Sequence, residues 1–299
     1  MIIGGGPAGL AAAVYAARKQ LDTLLISGDI GGQMNNTSSI ENWLGFQLIG
    51  AQELVGKFQS HVSEFPIDQK IGTHVSRLRK DDGGFEAEAE DGRRYRGRTV
   101  ILATGKKPRK LNIPGEDEYM GRGVTYCAIC DGPLFSGRKV AVIGGGNSAV
   151  EAALDMVKIA EHVSLISLTP LTADPVLLNR LDAAKNLTRY IECVSTRILG
   201  KDFVEGLVIK NLKNNEEKTL DVTGVFIEIG LVPNSEPVRG LVVLNKLGEV
   251  PISALGETIV PGLFAAGDVT DVPEKQIIIA AGEGAKAALQ VHHYLQRAE

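Results

Sequence analysis

The sequence predicts an α/β protein of two doubly wound, three-layer domains, the second inserted into the first, and three observations carry that prediction. At 299 residues the chain is longer than one hydrophobic core usually supports. A glycine-rich turn follows an apolar run twice, as Gly4-x-Gly6-x-x-Gly9 and as Gly144-x-Gly146-x-x-Ala149. The segments around the two turns match in type and keep one offset, so a single plan is written twice.

Taken in order, Met1-Ile2-Ile3 is a strand, the glycine turn follows, and the alanine-rich stretch from Leu10 to Lys19 is a helix. Thr23-Leu24-Leu25-Ile26-Ser27 is the next strand. Val140-Ala141-Val142-Ile143, the helical Val150 to Lys158 and Val163-Ser164-Leu165-Ile166-Ser167 repeat these elements 140 positions later. Each half closes on a strand: Val100-Ile101-Leu102-Ala103-Thr104-Gly105 with Pro108, then Val225-Phe226-Ile227-Glu228-Ile229-Gly230 with Pro233. Hairpin-like sequence precedes each closing strand, turning at Asp91-Gly92 and near Asn214-Asn215, and is expected to cover one face of a sheet. After Pro233 come Leu263-Phe264-Ala265-Ala266, then Gly267-Asp268 and an amphipathic helix from about Ile278. This tail has no counterpart between the halves, and the economical topology returns it to the first domain. The expected domains are therefore residues 1–113 with 235–299, and residues 114–234, joined near Ile113-Pro114-Gly115 and Pro233-Asn234-Ser235.

Both halves are Rossmann-like on this plan. The first glycine of such a turn permits the bend, the second lets a pyrophosphate approach the backbone, and the third lets the helix pack closely with its N-terminus facing the anion. Gly4, Gly6 and Gly9, with Pro7 and Ala8 between them and Ser27 ending the neighbouring strand, are candidates for one dinucleotide. Gly144, Gly146, Asn147, Ser148 and Ala149 are candidates for another.

Composition narrows the function classes. Hydrophobic residues at 44%, charged residues at 23% and no apolar run near the ~20 residues of a membrane span describe a soluble globular chain, with no membrane partner. A net charge of −4 with mixed signs leaves no basic stripe for nucleic acid. The first residues run straight into the glycine turn without an export signal, so a cytoplasmic location is expected. Three cysteines are too few for a disulfide scaffold, and Cys127-Ala128-Ile129-Cys130 reads as redox chemistry or half a metal site. Cys193 and the five histidines adopt no two-by-two ligand spacing with that pair, which argues against zinc. The alternative of two buried packing cysteines fits poorly with Asp131-Gly132-Pro133 beside them.

The stretch from Gly121 to Phe135, followed by Val140 to Glu151, resembles the low-molecular-weight thioredoxin reductases and, more closely, the flavoprotein subunit of alkyl hydroperoxide reductase. Gly31-Gly32-Gln33, Glu41-Asn42, Ala103-Thr104-Gly105, Pro114-Gly115-Glu116-Asp117, Gly267-Asp268-Val269 and Lys275-Gln276-Ile277-Ile278 extend the resemblance over essentially the whole chain. It implies FAD in the first domain, NADH or NADPH in the second, and a homodimer. It also implies a Cys127–Cys130 dithiol that carries electrons to a thioredoxin- or glutaredoxin-like protein, and through it to a peroxiredoxin. Gly32, Gln33, Asn42, Thr104, Gly105, Gly267, Asp268, Gln276 and Ile277 match family positions around the flavin. Asp131 is implied as the proton donor to the thiols, although aspartate before Gly-Pro also serves as a turn former or cap. Which cysteine attacks the partner stays open.

Two departures matter. The thioredoxin-like N-terminal module of the peroxide-reductase flavoprotein is missing from this sequence, so the partner is expected to be a separate protein. At the end of the strand after the second glycine turn stands Ser167-Leu168-Thr169-Pro170, where thioredoxin reductases carry His-Arg-Arg and the peroxide-reductase flavoprotein carries Glu. A 2′-phosphate needs charge-assisted partners, so NADH is expected over NADPH. Two alternatives keep part of this picture: the same dithiol output driven by ferredoxin or reduced flavin, and a non-enzymatic flavin redox sensor.

Overall fold

Short β-branched runs have to bury both faces, and here they do so in two parallel sheets. The computed structural model describes residues 1–37 and 39–297. They form two compact units: one of Met1–Asn35, Trp43–Lys107 and Val232–Glu299, the other of Asn36–Asn42 and Pro108–Leu231. The short Asn36–Asn42 stretch packs with the second unit, a placement that chain order does not suggest.

In the first unit the parallel sheet runs Leu263–Ala265, Val100–Leu102, Ile2–Ile3, Leu24–Ser27, Asp68–Ile71 from edge to edge. Successive side chains in a strand point to opposite faces, and the buried residues sort accordingly. Ile2, Leu25, Ile101 and Phe264 face a helical layer with Leu10, Ala13, Ala287 and Val291. Ile3, Val100, Leu102 and Leu263 face the other way, onto Leu78, Phe85 and Ala87 of the antiparallel sheet Val75–Asp81, Gly84–Ala89 and Arg94–Gly97. The helical layer is tight because the last helix, Ile277–Arg297, meets the first, Pro7–Arg18, at a glycine: a Cβ on Gly284 would lie 1.9 Å from the Ala8 carbonyl oxygen.

The second unit repeats the three layers. Its parallel sheet runs Val124–Thr125, Gly224–Ile227, Lys139–Ile143, His162–Ser167, Leu187–Ile191. Val140, Val142, Leu165 and Phe226 face the helices Asn147–Val157 and Pro175–Asp182, while Ala141, Ile143, Ile166 and Val225 face the antiparallel strands Cys193–Gly200, Val204–Asn211 and Glu217–Leu220. The two sheets differ at one edge. The first unit takes its fifth strand from chain that follows the plan, Leu263–Ala265, and the second takes it from chain that precedes the plan, Val124–Thr125. That second edge strand was not anticipated from sequence: two residues carry no periodicity, and their partners Val225 and Phe226 lie a hundred residues on. It leads directly into Cys127.

Candidate active site

The first glycine turn shows three different reasons for its glycines. Gly4 has φ +116°, and a Cβ there would lie 2.2 Å from the Ala103 oxygen. A Cβ on Gly9 would lie 1.8 Å from the Gly4 oxygen. Gly6 is the opposite case: its Cβ would meet nothing within 4 Å. It opens the helix Pro7–Arg18 without a side-chain cap, so an uncapped helix start faces a space that only the absence of a side chain keeps clear. Ala8 is buried, and Ser27 is buried with its Oγ 2.8 Å from the Cβ position of Gly5.

Distant segments close around this turn. Gly32, at φ +57°, has its Cβ position 3.4 Å from the Gly6 Cα. The Gln33 amide donates to Asp268 Oδ2 at 2.8 Å, joining residues 235 apart in sequence. Gly267 packs its Cβ position 2.9 Å from the Ala8 Cβ and donates its N–H to Glu283. Ile277 begins the last helix, with Gln276 just before it. Thr104 and Gly105 are held by Asn234, which gives its side-chain amide to the Thr104 oxygen and its N–H to the Gly105 oxygen, while its carbonyl accepts the Thr104 hydroxyl. Burial pushes the Asp268 carboxyl upward, and the positive charges of Lys275 and Lys106 pull it back. Those two lysines flank the buried Glu249, at 3.6 and 2.5 Å. Asn42 is exposed and ends the Asn36–Asn42 stretch of the second unit.

In the second unit Gly144 has φ +147° and a Cβ position 2.3 Å from the Glu228 oxygen, and Gly146 again has nothing within 4 Å. Asn147 and Ser148 are exposed at the start of the uncapped helix and Ala149 is buried in the place of the third glycine. Asn147 exchanges hydrogen bonds with Asp174, through its amide at 2.9 Å and its oxygen at 2.8 Å. At the end of the next strand the Ser167 hydroxyl donates to the Thr169 oxygen at 2.6 Å.

Cys127 and Cys130 form a disulfide with Cα atoms 5.3 Å apart. The Cys130 N–H donates to the Cys127 sulfur at 3.2 Å, across the short turn Ala128–Asp131. Gly132 sets this turn against the helix of the second glycine motif, its Cβ position 3.1 Å from the Met156 sulfur. Asp131 is buried, and its two oxygens accept hydrogen bonds from the Thr125 and Thr37 hydroxyls. Its side chain caps no helix. Burial raises the Asp131 carboxyl above the usual carboxylate range, and the two hydroxyls oppose the shift. One acid beside the disulfide was not singled out from sequence. Glu228 Oε1 accepts the Ala128 N–H at 3.3 Å, and burial pushes its carboxyl up to about 7 against that bond. Cys193 is buried and free, with its thiol pushed up by burial.

The chain matches the family described as pyridine nucleotide-disulphide oxidoreductase over residues 1–284. It belongs to that family. Members of the family use FAD and NADH or NADPH, and the open corners at Gly6 and Gly146 fit two dinucleotides, because a side chain at either would fill the approach without touching the fold. The NADH dehydrogenase of Bacillus subtilis (strain 168) is 45% identical over 298 residues, covering 99% of this chain and 58% of that protein. The F subunit of alkyl hydroperoxide reductase from Escherichia coli (strain K12) is 44% identical over 302 residues, with 99% and 58% covered. The chain thus spans under three-fifths of these curated relatives. Among solved structures, thioredoxin reductase from Streptococcus pyogenes superposes with a TM-score of 0.94 at 37% identity, covering 99% of this chain and 97% of that one. Thioredoxin reductase from Giardia duodenalis does so with 0.92 at 30%, covering the same shares. The resemblance drawn from the motifs and the two Rossmann-like folds agree with these relatives. No described helix is long and apolar enough to cross a membrane.

Proposed function

We propose that this member of the family is a disulfide reductase, passing electrons from a nicotinamide dinucleotide through FAD and the Cys127–Cys130 pair to the disulfide of a thioredoxin- or glutaredoxin-like protein. The observation that carries this reading is the Cys127–Cys130 disulfide packed on the helix of the second dinucleotide turn, with the buried Asp131 next to it in the chain and the half-buried Glu228 on its turn. When bound, the nicotinamide and FAD supply two-electron transfer to the disulfide. The chain's residues do the rest. Gly4, Gly6 and Gly9 hold one pyrophosphate with Gln33 and Asp268 beside it, and Gly144 and Gly146 hold the other. The uncapped helix starts at Pro7 and Asn147 orient the anions. The Cys130 N–H favours negative charge on the Cys127 sulfur, and Asp131 holds a proton close to Cys130. The protein works as a homodimer in the cytoplasm, and its partner passes electrons on to a peroxiredoxin.

NADH is the better donor, since Ser167 and Thr169 offer neither the acid of a ribose site nor the cations of a phosphate site. The test is steady-state turnover of NADH with oxidised thioredoxin. Cys127→Ser and Cys130→Ser should each abolish turnover, by more than about a thousandfold, while NADH still bleaches the flavin. Full turnover by either variant would remove the proposal. Bleaching by reduced ferredoxin or free dihydroflavin, but not by NADH or NADPH, would keep the dithiol output and replace the donor.

A further inference from the structure

Val225-Phe226-Ile227-Glu228-Ile229-Gly230 is an apolar run with one charged residue. The corresponding residue of the first unit is Ala103, and the two occupy the same corner. The Ala103 oxygen stands 2.2 Å from the Cβ position of Gly4, and the Glu228 oxygen 2.3 Å from that of Gly144. Alanine suffices for that backbone task, so the turn does not require a carboxyl. Its placement also opposes stability, because a carboxylate drawn out of water with a single amide hydrogen bond is poorly compensated.

The carboxyl reaches the backbone of the disulfide turn instead. Oε1 accepts the N–H of Ala128, the residue bonded to Cys127, and Oε2 makes no hydrogen bond among the described residues. The titratable groups around it are few. The turn brings Cys127, Cys130 and Asp131, and Asp131 is already engaged on both oxygens. Arg109 lies 3.8 Å from the Cβ position of Gly230, two residues on, and Tyr126 turns its hydroxyl to Glu116. The neighbouring strand has its one charge, Lys139, at the far end, and the following helix opens on the uncharged Asn147 and Ser148. Among the described residues no cation opposes the upward shift of Glu228.

We propose that Glu228 is the proton carrier for the Cys127 sulfur, giving up a proton when the disulfide opens and recovering one when it closes. The role in turnover rests on the reductase reading above. In the step, a dithiol or dihydroflavin reductant gives two electrons, the S–S bond breaks, and each sulfur takes one electron pair. The Cys127 sulfur takes its proton from Glu228, which becomes a carboxylate. The Cys130 sulfur takes one of the reductant's two protons, and the other goes to solvent. A carboxyl raised to about 7 is charged and uncharged in comparable amounts near neutral pH, which suits a group that must do both.

The holoenzyme would be reduced with dithiothreitol, desalted without air, and pulsed with iodoacetamide between about pH 5 and about pH 9, with Cys127 and Cys130 alkylation read separately by peptide mass spectrometry. Wild type should show two inflections for Cys127, the lower near pH 7. Glu228→Gln, which keeps an oxygen for the Ala128 N–H, should lose the lower inflection and alkylate Cys127 at least about threefold faster near pH 8, with Cys130 unchanged. Superimposable Cys127 profiles, or loss of the lower inflection in Asp131→Asn instead, would overturn the proposal. A second measurement needs no variant. Infrared spectra of the dithiothreitol-reduced protein with isotope-labelled glutamate carboxyls should show a protonated glutamate band at about pH 6 that disappears with a midpoint near pH 7, and its absence overturns the proposal equally. Neither readout uses NADH or thioredoxin. Failure to turn over thioredoxin would therefore sink the reductase reading while leaving these results in place.

Discussion

Gly4 and Gly6 stand two residues apart and should fail in different ways when replaced. Gly4 sits at φ +116° against the Ala103 oxygen, so Gly4→Ala strains the turn itself and lowers stability by about 1–3 kcal/mol. Gly6 has φ −77°, which any residue adopts, and open space beyond it. Gly6→Val should therefore fold, with wild-type circular dichroism, yet retain less than about a tenth of the wild-type FAD by absorbance after reconstitution. A yellow Gly6→Val protein with full flavin content would show that the pyrophosphate lies elsewhere. Glu228 supplies a pH-dependent case. Its folded pKa, about 7, lies above the ordinary 4.5, so its contribution to stability is fully present below pH 4.5 and is lost as pH rises through 7. Glu228→Gln should leave the second unit about as stable as wild type near pH 4.5. Near pH 8 it should be the more stable by at most roughly 3 kcal/mol, read by urea unfolding at the two pH values.

At the scale of elements, legibility followed distance along the chain. The glycine turns, the helices after them and the apolar strand runs were readable because period and spacing are local properties. So were the hairpins, where Gly92 and Asn215 supply the positive φ that their turns need. The edge strand Val124–Thr125 was not, and neither were Thr37 and Thr125 on Asp131 or Asn234 on Thr104 and Gly105, since each pairing joins segments that only the fold brings together. Glu228 did carry a local signal: it is an acid in an apolar closing strand whose first copy has alanine. The end of the strand His162–Ser167 is the element where sequence and structure together make a prediction. Ser167 is buried and spends its hydroxyl on the Thr169 oxygen, Thr169 turns its own to the Pro170 oxygen, and neither side chain carries a charge. NADH should therefore exceed NADPH in kcat/KM. The pair Leu168→Arg and Thr169→Arg should raise kcat/KM for NADPH by about tenfold or more while leaving FAD content unchanged. A wild-type preference for NADPH at equal ionic strength would assign the phosphate to another cation, with Arg180 the first candidate.

For the whole molecule the consequence of two units is thermodynamic. Each has its own layered core, the first built on Leu25, Ile101 and Phe264 and the second on Val142, Leu165 and Phe226, and each carries one of the two open glycine corners. A ligand stabilises only the unit that binds it, by RT ln(1 + [L]/Kd), about 2.7 kcal/mol at a hundredfold excess over Kd. Calorimetry should then resolve two transitions. Added FAD should raise one of them by a few degrees, the one that Gly6→Val lowers to its flavin-free position. The other should move with NADH and respond to Phe226→Ala, a fully buried aromatic whose removal costs about 3–5 kcal/mol. Reduction of Cys127–Cys130 belongs to that second transition as well, because the disulfide, Asp131 and the hydroxyls of Thr37 and Thr125 lie in the second unit. A single transition that FAD raises as a whole, and that Phe226→Ala lowers as a whole, would show that the units unfold as one cooperative body, and dinucleotide binding in either would then be felt in both.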